Sequence, residues 1–199
     1  AGQQMNPVVL LDDADFMAIR HVNLLDADYG IRAINGSTDL SLSDIIVSGH
    51  RIDGIRAESG SRLSTALDVV ASDNSGHGFF TNSDVTELRN VVANDNGLSG
   101  ITVGGASVGI FDVQSLRNGS GGIASTGFVG EIRRVTSSSN GGIGLSIDLS
   151  GDANGLVGYR GKRHTGLIDV DKKAQHPVLD YWEPSYNRGS DDIVLDPDE

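Results

Sequence analysis

Side chains capable of acid–base chemistry and of binding an anionic substrate recur between residues 29 and 82. Three of them are candidates for proton transfer, because carboxylates and imidazoles take up and release protons in many active sites: Glu58, His77 and Asp53. Five more are candidates for substrate binding through positive charge, stacking or hydrogen bonding: Arg32, Arg56, Phe80, Asn82 and Tyr29. These residue types predict a site for an acidic substrate, provided that the fold brings them together.

A glycine followed by a large apolar residue recurs at nearly constant spacing along the chain. The intervals between successive glycines are 24, 24, 22, 22, 22 and 22 residues. The seven pairs are Gly30-Ile31, Gly54-Ile55, Gly78-Phe79, Gly100-Ile101, Gly122-Ile123, Gly144-Leu145 and Gly166-Leu167. A fixed period of this length predicts a solenoid, in which each repeat buries its apolar face by stacking on its neighbours.

Two further columns of residues run in phase with the glycines. One is apolar and is expected to face the core: Val22, Ile46, Val70, Val92, Val113, Val135 and Val157. The other is Asn74, Asn96, Asn118 and Asn140, separated by 22 residues each time. Because asparagine tolerates the left-handed backbone conformation, this column predicts a repeated tight turn with amide hydrogen bonds between coils.

Within each repeat, apolar and polar residues alternate with period two, as in Ile101-Thr102-Val103. The returning segments are rich in Ser, Thr, Val and Gly and would form poor helices, which argues against a leucine-rich repeat. The predicted fold class is therefore all-β, a right-handed parallel β-helix solenoid of about seven coils with an irregular C-terminal tail. The predicted domains are an N-terminal cap (1–14), the β-helix (15–173) and an aromatic, acidic tail (174–199) that acts as a cap or an oligomer contact.

The repeat register predicts that the candidate site residues share one outward face. Arg32, Arg56 and Phe80 occupy equivalent positions in successive coils, and Glu58 precedes Asn82 in the next outward column. Asp53 and His77 each come directly before a glycine and are expected to lie one coil apart. The alternative is that neighbouring opposite charges stabilise the solenoid surface without any ligand.

The pattern of inward valine, turn asparagine and glycine-led strand resembles the β-helix repeats of the pectin lyase-like superfamily, over residues 15–170. That superfamily includes pectate lyases, polygalacturonases, mannuronan epimerases and phage tailspikes. The resemblance implies a rigid module of an extracellular or virion assembly, like a phage spike or fibre, that presents a face to glycans or partner chains and forms a homotrimer.

The resemblance equally implies an alternative, a small polysaccharide lyase, epimerase or glycoside hydrolase, so whether the chain is an enzyme stays open. In that alternative Arg32 and Arg56 neutralise a uronic acid, His77 or Glu58 is the base, and Phe80 or Tyr29 stacks on a sugar.

Composition restricts the partners further. With 15 Lys and Arg against 27 Asp and Glu, the formal charge is -12, which argues against nucleic acid as a partner. No apolar run is long enough for membrane insertion, so no membrane partner is predicted. The five histidines lack the spacing of zinc ligands, and neither a metal nor a cofactor is predicted. The expected location is extracellular or on a virion surface.

Overall fold

The protein is an all-β parallel solenoid of about six turns, which confirms the predicted fold class. This computed structural model describes the backbone of residues 6–148, 156–162, 168–171, 180–185 and 193–195, and the side chains of residues 6–146 other than residue 128. No helix among these described residues is long and apolar enough to cross a membrane.

Eighteen strands make up the described structure. In chain order they are β1 (Pro7–Asp12), β2 (Ala18–Leu25), β3 (Tyr29–Ile34), β4 (Leu40–Ser48), β5 (Ile55–Ala57), β6 (Leu63–Ser72), β7 (Phe79–Thr81), β8 (Val85–Asn94), β9 (Ile101–Val103), β10 (Ser107–Phe111), β11 (Gln114–Leu116), β12 (Ile123–Arg133), β13 (Thr136–Ser138), β14 (Leu145–Asp148), β15 (Leu156–Lys162), β16 (Ile168–Asp171), β17 (Asp180–Ser185) and β18 (Ile193–Leu195). One parallel ladder, sheet A, begins with β1, β3, β5 and β7; the other, sheet B, begins with β2, β4, β6 and β8.

The glycine-led apolar residues form one continuous core column in sheet A. Their register confirms the prediction from the first pair, Ile31, to Leu145: Ile31 pairs with Ile55, then Phe79, Ile101, Ile123 and Leu145 follow in turn. All six are at most 1% exposed. In the next coil the prediction is wrong by one residue, because Ser146 pairs with Asp169 and not with Ile168. That coil is one residue longer than the 22-residue repeat before it.

The predicted second core column is also wrong by one residue in the middle coils. Ile45, Val69 and Val91 are fully buried, whereas Ile46 is 40% exposed. The register pairs Ile45 with Val69 and Val69 with Val91. Each coil carries two adjacent β-branched residues at this point, so alternation alone does not say which of the two faces the core.

The asparagine ladder is present, but the left-handed backbone conformation is adopted by the residue before each asparagine and not by the asparagine itself. Asn74 donates from its main-chain N–H and its side-chain Nδ2 to Asn96 Oδ1, over 3.1 and 3.0 Å. Asn96 repeats both bonds to Asn118 at 3.0 Å. The positive φ angles belong to the preceding residues, among them Asp73 and Asp95, because the turn must rotate the chain before the amide points inward.

The ladders extend into both predicted terminal segments. Within residues 1–14, β1 pairs in parallel with β3. Within residues 174–199, β17 pairs with β15 and β18 pairs with β16, again in parallel. The side chains of that tail lie outside the described residues, and the three domain boundaries stay predictions.

Candidate functional site

The outward face of sheet A brings the predicted arginines and glutamate into direct contact. Arg32 and Arg56 are paired residues of β3 and β5, so their side chains leave the sheet one coil apart. Arg32 donates from Nε and Nη2 to Glu58 Oε1, over 2.8 and 2.6 Å. Arg56 Nε lies 3.9 Å from the same oxygen. Glu58 therefore sits between two guanidinium groups, with its side chain 34% exposed.

Asp53 is the buried carboxylate of this group, with a side chain that is only 2% exposed. Its Oδ2 accepts a hydrogen bond from Arg56 Nη1 at 2.6 Å, and its Oδ1 accepts one from the main-chain N–H of His77 at 2.7 Å. A buried charge is tolerated when it is paired and hydrogen-bonded in this way. Asp53 consequently ties its coil to the next through Oδ1, while Oδ2 holds Arg56 of its own coil.

Aromatic rings form the second layer of the cluster. The guanidinium carbon of Arg56 lies 4.4 Å from the centroid of the Phe80 ring, and that of Arg32 lies 5.1 Å from the centroid of Tyr29. The His77 ring packs against Phe80 with centroids 5.1 Å apart and an interplanar angle of 42°. Both arginines are thus held by a carboxylate and an aromatic face at the same time.

Burial alters the proton affinity of two members of the cluster. It raises the pKa of Tyr29, and it lowers the pKa of His77 in spite of the opposing influence of the nearby Asp53 carboxylate. His77 is therefore neutral at pH 7. Its Nδ1 is buried and has no hydrogen-bond partner among the described residues, so that nitrogen is shielded from solvent.

Asn82 is the least engaged of the eight predicted residues. It follows β7, its main-chain N–H donates to the carbonyl oxygen of Ala57 at 3.2 Å, and it is exposed. The structure places it beside the coil that carries Glu58, at the rim of the cluster.

The charges of the cluster cancel, since two arginines face two carboxylates and His77 is neutral. Any anion that binds here has to displace Glu58 or Asp53 from its arginine. The contacts fit the alternative in which opposite charges stabilise the solenoid surface, and the catalytic roles of Glu58, His77 and Asp53 stay predictions. The partner of each arginine was not predictable from the sequence, because it depends on side-chain reach across coils.

Ion pairing of this kind is general along the solenoid. Eight of the nine arginines whose side chains are described contact an Asp or Glu: Arg32, Arg51, Arg56, Arg62, Arg89, Arg117, Arg133 and Arg134. Arg51 also pairs with a buried aspartate, Asp28, and Arg89 also lies over an aromatic ring, that of Phe111 at 4.6 Å. The cluster around Arg56 combines both features.

The fold defines the chain as a parallel β-solenoid. Residues 127–199, a little over a third of it, match the family model described as 2'-deoxycytidine 5'-triphosphate deaminase (DCD), C-terminal domain. The matched part begins within β12 and includes the last strands of both ladders. No curated protein and no solved structure matches the chain.

This match corrects the functional expectations drawn from the repeats. The resemblance to the pectin lyase-like superfamily was wrong as a family assignment, because the matching model is that of a nucleotide deaminase domain. The spike or fibre module, its lyase, epimerase or hydrolase alternative and the glycan partner are wrong for the same reason. The expected trimer and the extracellular or virion location stay predictions.

Proposed function

We propose that the chain binds 2'-deoxycytidine 5'-triphosphate, or a closely related pyrimidine deoxynucleotide, through residues 127–199 and takes part in its deamination. The observation that carries the proposal is the match of that segment to the C-terminal domain of dCTP deaminase. In this reaction water adds to C4 of the cytosine ring, the C4–N bond breaks, and ammonia leaves to give dUTP.

A triphosphate needs cationic or N–H groups around it, particularly on a protein with a formal charge of -12. The cations of this chain are concentrated in the matched segment, which holds all three lysines: Lys162, Lys172 and Lys173. The densest basic run is Arg160-Gly161-Lys162-Arg163-His164, and its first three residues end β15.

The position of this run in the ladder also favours a phosphate site. In the register of β13 and β15, Arg160 lies opposite Thr136 and Lys162 lies opposite Ser138. Hydroxyl residues beside cationic ones suit phosphate oxygens, which accept hydrogen bonds from both. Eight of the nine arginines whose side chains are described, all of them except Arg20, are already paired with carboxylates, which makes those eight weaker candidates.

Calorimetric titration of the full chain with dCTP tests the proposal. We expect binding of dCTP that is tighter than binding of dGTP, and a loss of at least about tenfold in the Arg160→Ala/Lys162→Ala variant, as for the removal of two charge-assisted contacts. Arg117→Ala is the matched control, because Arg117 is exposed and ion-paired outside the segment. Absence of dCTP binding, or an equal loss in the control, would contradict the proposal.

A second variant locates the site. If Arg32→Met weakens dCTP binding and Arg160→Ala/Lys162→Ala does not, the nucleotide binds at the cluster around Arg32 and Arg56 on sheet A, and the proposed location is wrong. Deamination is followed separately, by ammonia release and by chromatographic detection of dUTP, so that binding without turnover is recognised.

A further inference from the structure

We propose that Asn35 is a site of spontaneous covalent modification, where the side-chain amide is lost as ammonia, and that the carboxylate formed there loosens β1. The inference rests on the turn that follows β3 and is independent of the proposed function.

The tripeptide Asn-Gly-Ser occurs twice in the chain, as Asn35-Gly36-Ser37 and as Asn118-Gly119-Ser120. An asparagine followed by glycine is open to deamidation, because a glycine without a side chain lets its main-chain nitrogen approach the asparagine amide. Since the two tripeptides are identical, a large difference in their reactivity has to come from the fold.

The reaction is a ring closure followed by hydrolysis. The main-chain nitrogen of Gly36 attacks Cγ of Asn35, the Cγ–Nδ2 bond breaks, and Nδ2 leaves as ammonia with the proton that the glycine nitrogen gives up. Water then opens the resulting succinimide at either of its carbonyl carbons, which gives aspartate or isoaspartate. The attack requires an accessible glycine nitrogen and a backbone that can rearrange.

The turn at Asn35 meets both requirements. Ser37 donates its main-chain N–H to the carbonyl oxygen of Ile34 at 3.2 Å, and the φ angles of the two residues between them are 54° and 83°, as in a type I′ turn. Asn35 is exposed, the Gly36 N–H makes no hydrogen bond among the described residues, and a side-chain carbon added to Gly36 would meet nothing within 4 Å. An exposed turn with so few bonds opens easily, which lets the glycine nitrogen reach Cγ.

The second tripeptide is held closed by the asparagine ladder. Asn118 is 2% exposed, and the Gly119 N–H donates to the carbonyl oxygen of Asn96 at 2.7 Å. A side-chain carbon added to Gly119 would lie 2.3 Å from the carbonyl oxygen of Gly97, so the backbone has no space to rearrange. Reaction at Asn118 therefore requires the coils to separate, whereas reaction at Asn35 requires only one turn to open.

Deamidation of Asn35 changes a contact between two coils. Asn35 Nδ2 donates to Asp12 Oδ1 at 2.7 Å, and Asp12 is the last residue of β1. The product has a carboxylate in place of the donor amide, so repulsion between like charges replaces the hydrogen bond. We expect β1 to be held less firmly on β3 after the reaction.

Peptide mapping of the full chain after incubation at mildly alkaline pH tests the site. Trypsin releases peptides 33–51 and 118–133, and each contains a single asparagine, Asn35 in the first and Asn118 in the second. Mass spectrometry detects the exchange of the amide for a hydroxyl group, and chromatography separates aspartate from isoaspartate. In the folded chain we expect Asn35 to convert at least about tenfold faster than Asn118.

The same incubation in urea is the matched control, because unfolding makes the two identical tripeptides equally accessible. We expect the two rates to agree within about threefold there. Equal rates in the folded chain, or an Asn35 that stays intact under conditions in which the unfolded chain reacts, would overturn the proposal.

A second measurement tests the effect on β1. Asn35→Asp mimics one product, and we expect hydrogen exchange of the β1 amides to be about two- to fivefold faster in it than in the parent, as for the loss of an exposed polar contact. Asp12→Asn/Asn35→Asp keeps one amide and one carboxylate at this contact, so exchange should return towards the parent rate. Unchanged exchange in Asn35→Asp, or equally fast exchange in the double variant, would overturn the proposed effect on β1.

Discussion

His50 donates its main-chain N–H to Asn74 Oδ1 over 3.1 Å, the same bond that Asn74 and Asn96 each make to the next asparagine of the ladder. Its ring is committed as well: Nδ1 accepts the N–H of Ala27 at 3.2 Å, and Nε2 donates to the carbonyl oxygen of Leu24 at 3.0 Å. A neutral imidazole, with its proton on Nε2, therefore takes the place of the amide at the head of the ladder.

This arrangement predicts loss of stability in acid. Burial lowers the pKa of His50 below its ordinary value of 6.5, so below that pH the unfolded chain takes up a proton more readily than the folded one. The contribution of neutral His50 to the free energy of unfolding is complete above pH 6.5, and it is lost as the pH falls from there towards the lower pKa of the folded state. For one histidine, the free energy of unfolding changes by at most about 1.4 kcal/mol per pH unit.

The variant His50→Asn extends the ladder by one asparagine and removes the titratable imidazole. Its free energy of unfolding, measured with urea at a series of pH values, should fall less steeply below pH 6.5 than that of the parent. The pKa of His77 is lowered by burial too, so part of the slope should remain. An unchanged slope would show that His50 does not supply the pH dependence.

The ladder itself should be costly to interrupt. Asn118 Nδ2 donates to Ala93, Ser115 and Asn140, each at 2.9 Å, and its Oδ1 accepts two bonds from Asn96. The variant Asn118→Ala leaves several of these buried groups without partners, and we expect it to lower the free energy of unfolding by about 2–4 kcal/mol.

The control for this ladder variant is Asn82→Ala, at an exposed asparagine outside the ladder, which should change stability by less than about 0.5 kcal/mol. Similar losses for the two variants in urea denaturation would mean that the ladder bonds add little net stability.

The corrected core register makes opposite predictions for two neighbours. Val91 is fully buried, whereas Val92 is only partly buried. Val91→Asp puts an unpaired charge in the core and should cost several kcal/mol or prevent folding, while Val92→Asp should fold with a much smaller loss. Thermal unfolding followed by circular dichroism distinguishes the two, and an equal loss at both positions would contradict the register.

The sequence predicted what depends on the repeat period and missed what depends on finer geometry. Period and alternation were enough to stack Ile31 on Ile55 and to bring Arg56 next to Phe80. They were not enough to choose between Val91 and Val92, because both are β-branched. The functional resemblance failed because the repeat pattern reports the stacking that any β-solenoid requires, whereas the family match lies in residues 127–199.

Asp53, the buried carboxylate of the cluster, has Arg56 as its charged partner. Arg56→Met leaves Asp53 without its charged partner in a site where its side chain is 2% exposed, and we expect a loss of about 3 kcal/mol in the free energy of unfolding. Arg32→Met leaves Glu58, which is 34% exposed, in contact with water and should cost less than about 1 kcal/mol. The double variant Asp53→Asn/Arg56→Met removes both charges, so it should recover part of the loss. If it is no more stable than Arg56→Met, the loss comes from the packing of Arg56 on Phe80, at 4.4 Å, and not from the unpaired carboxylate.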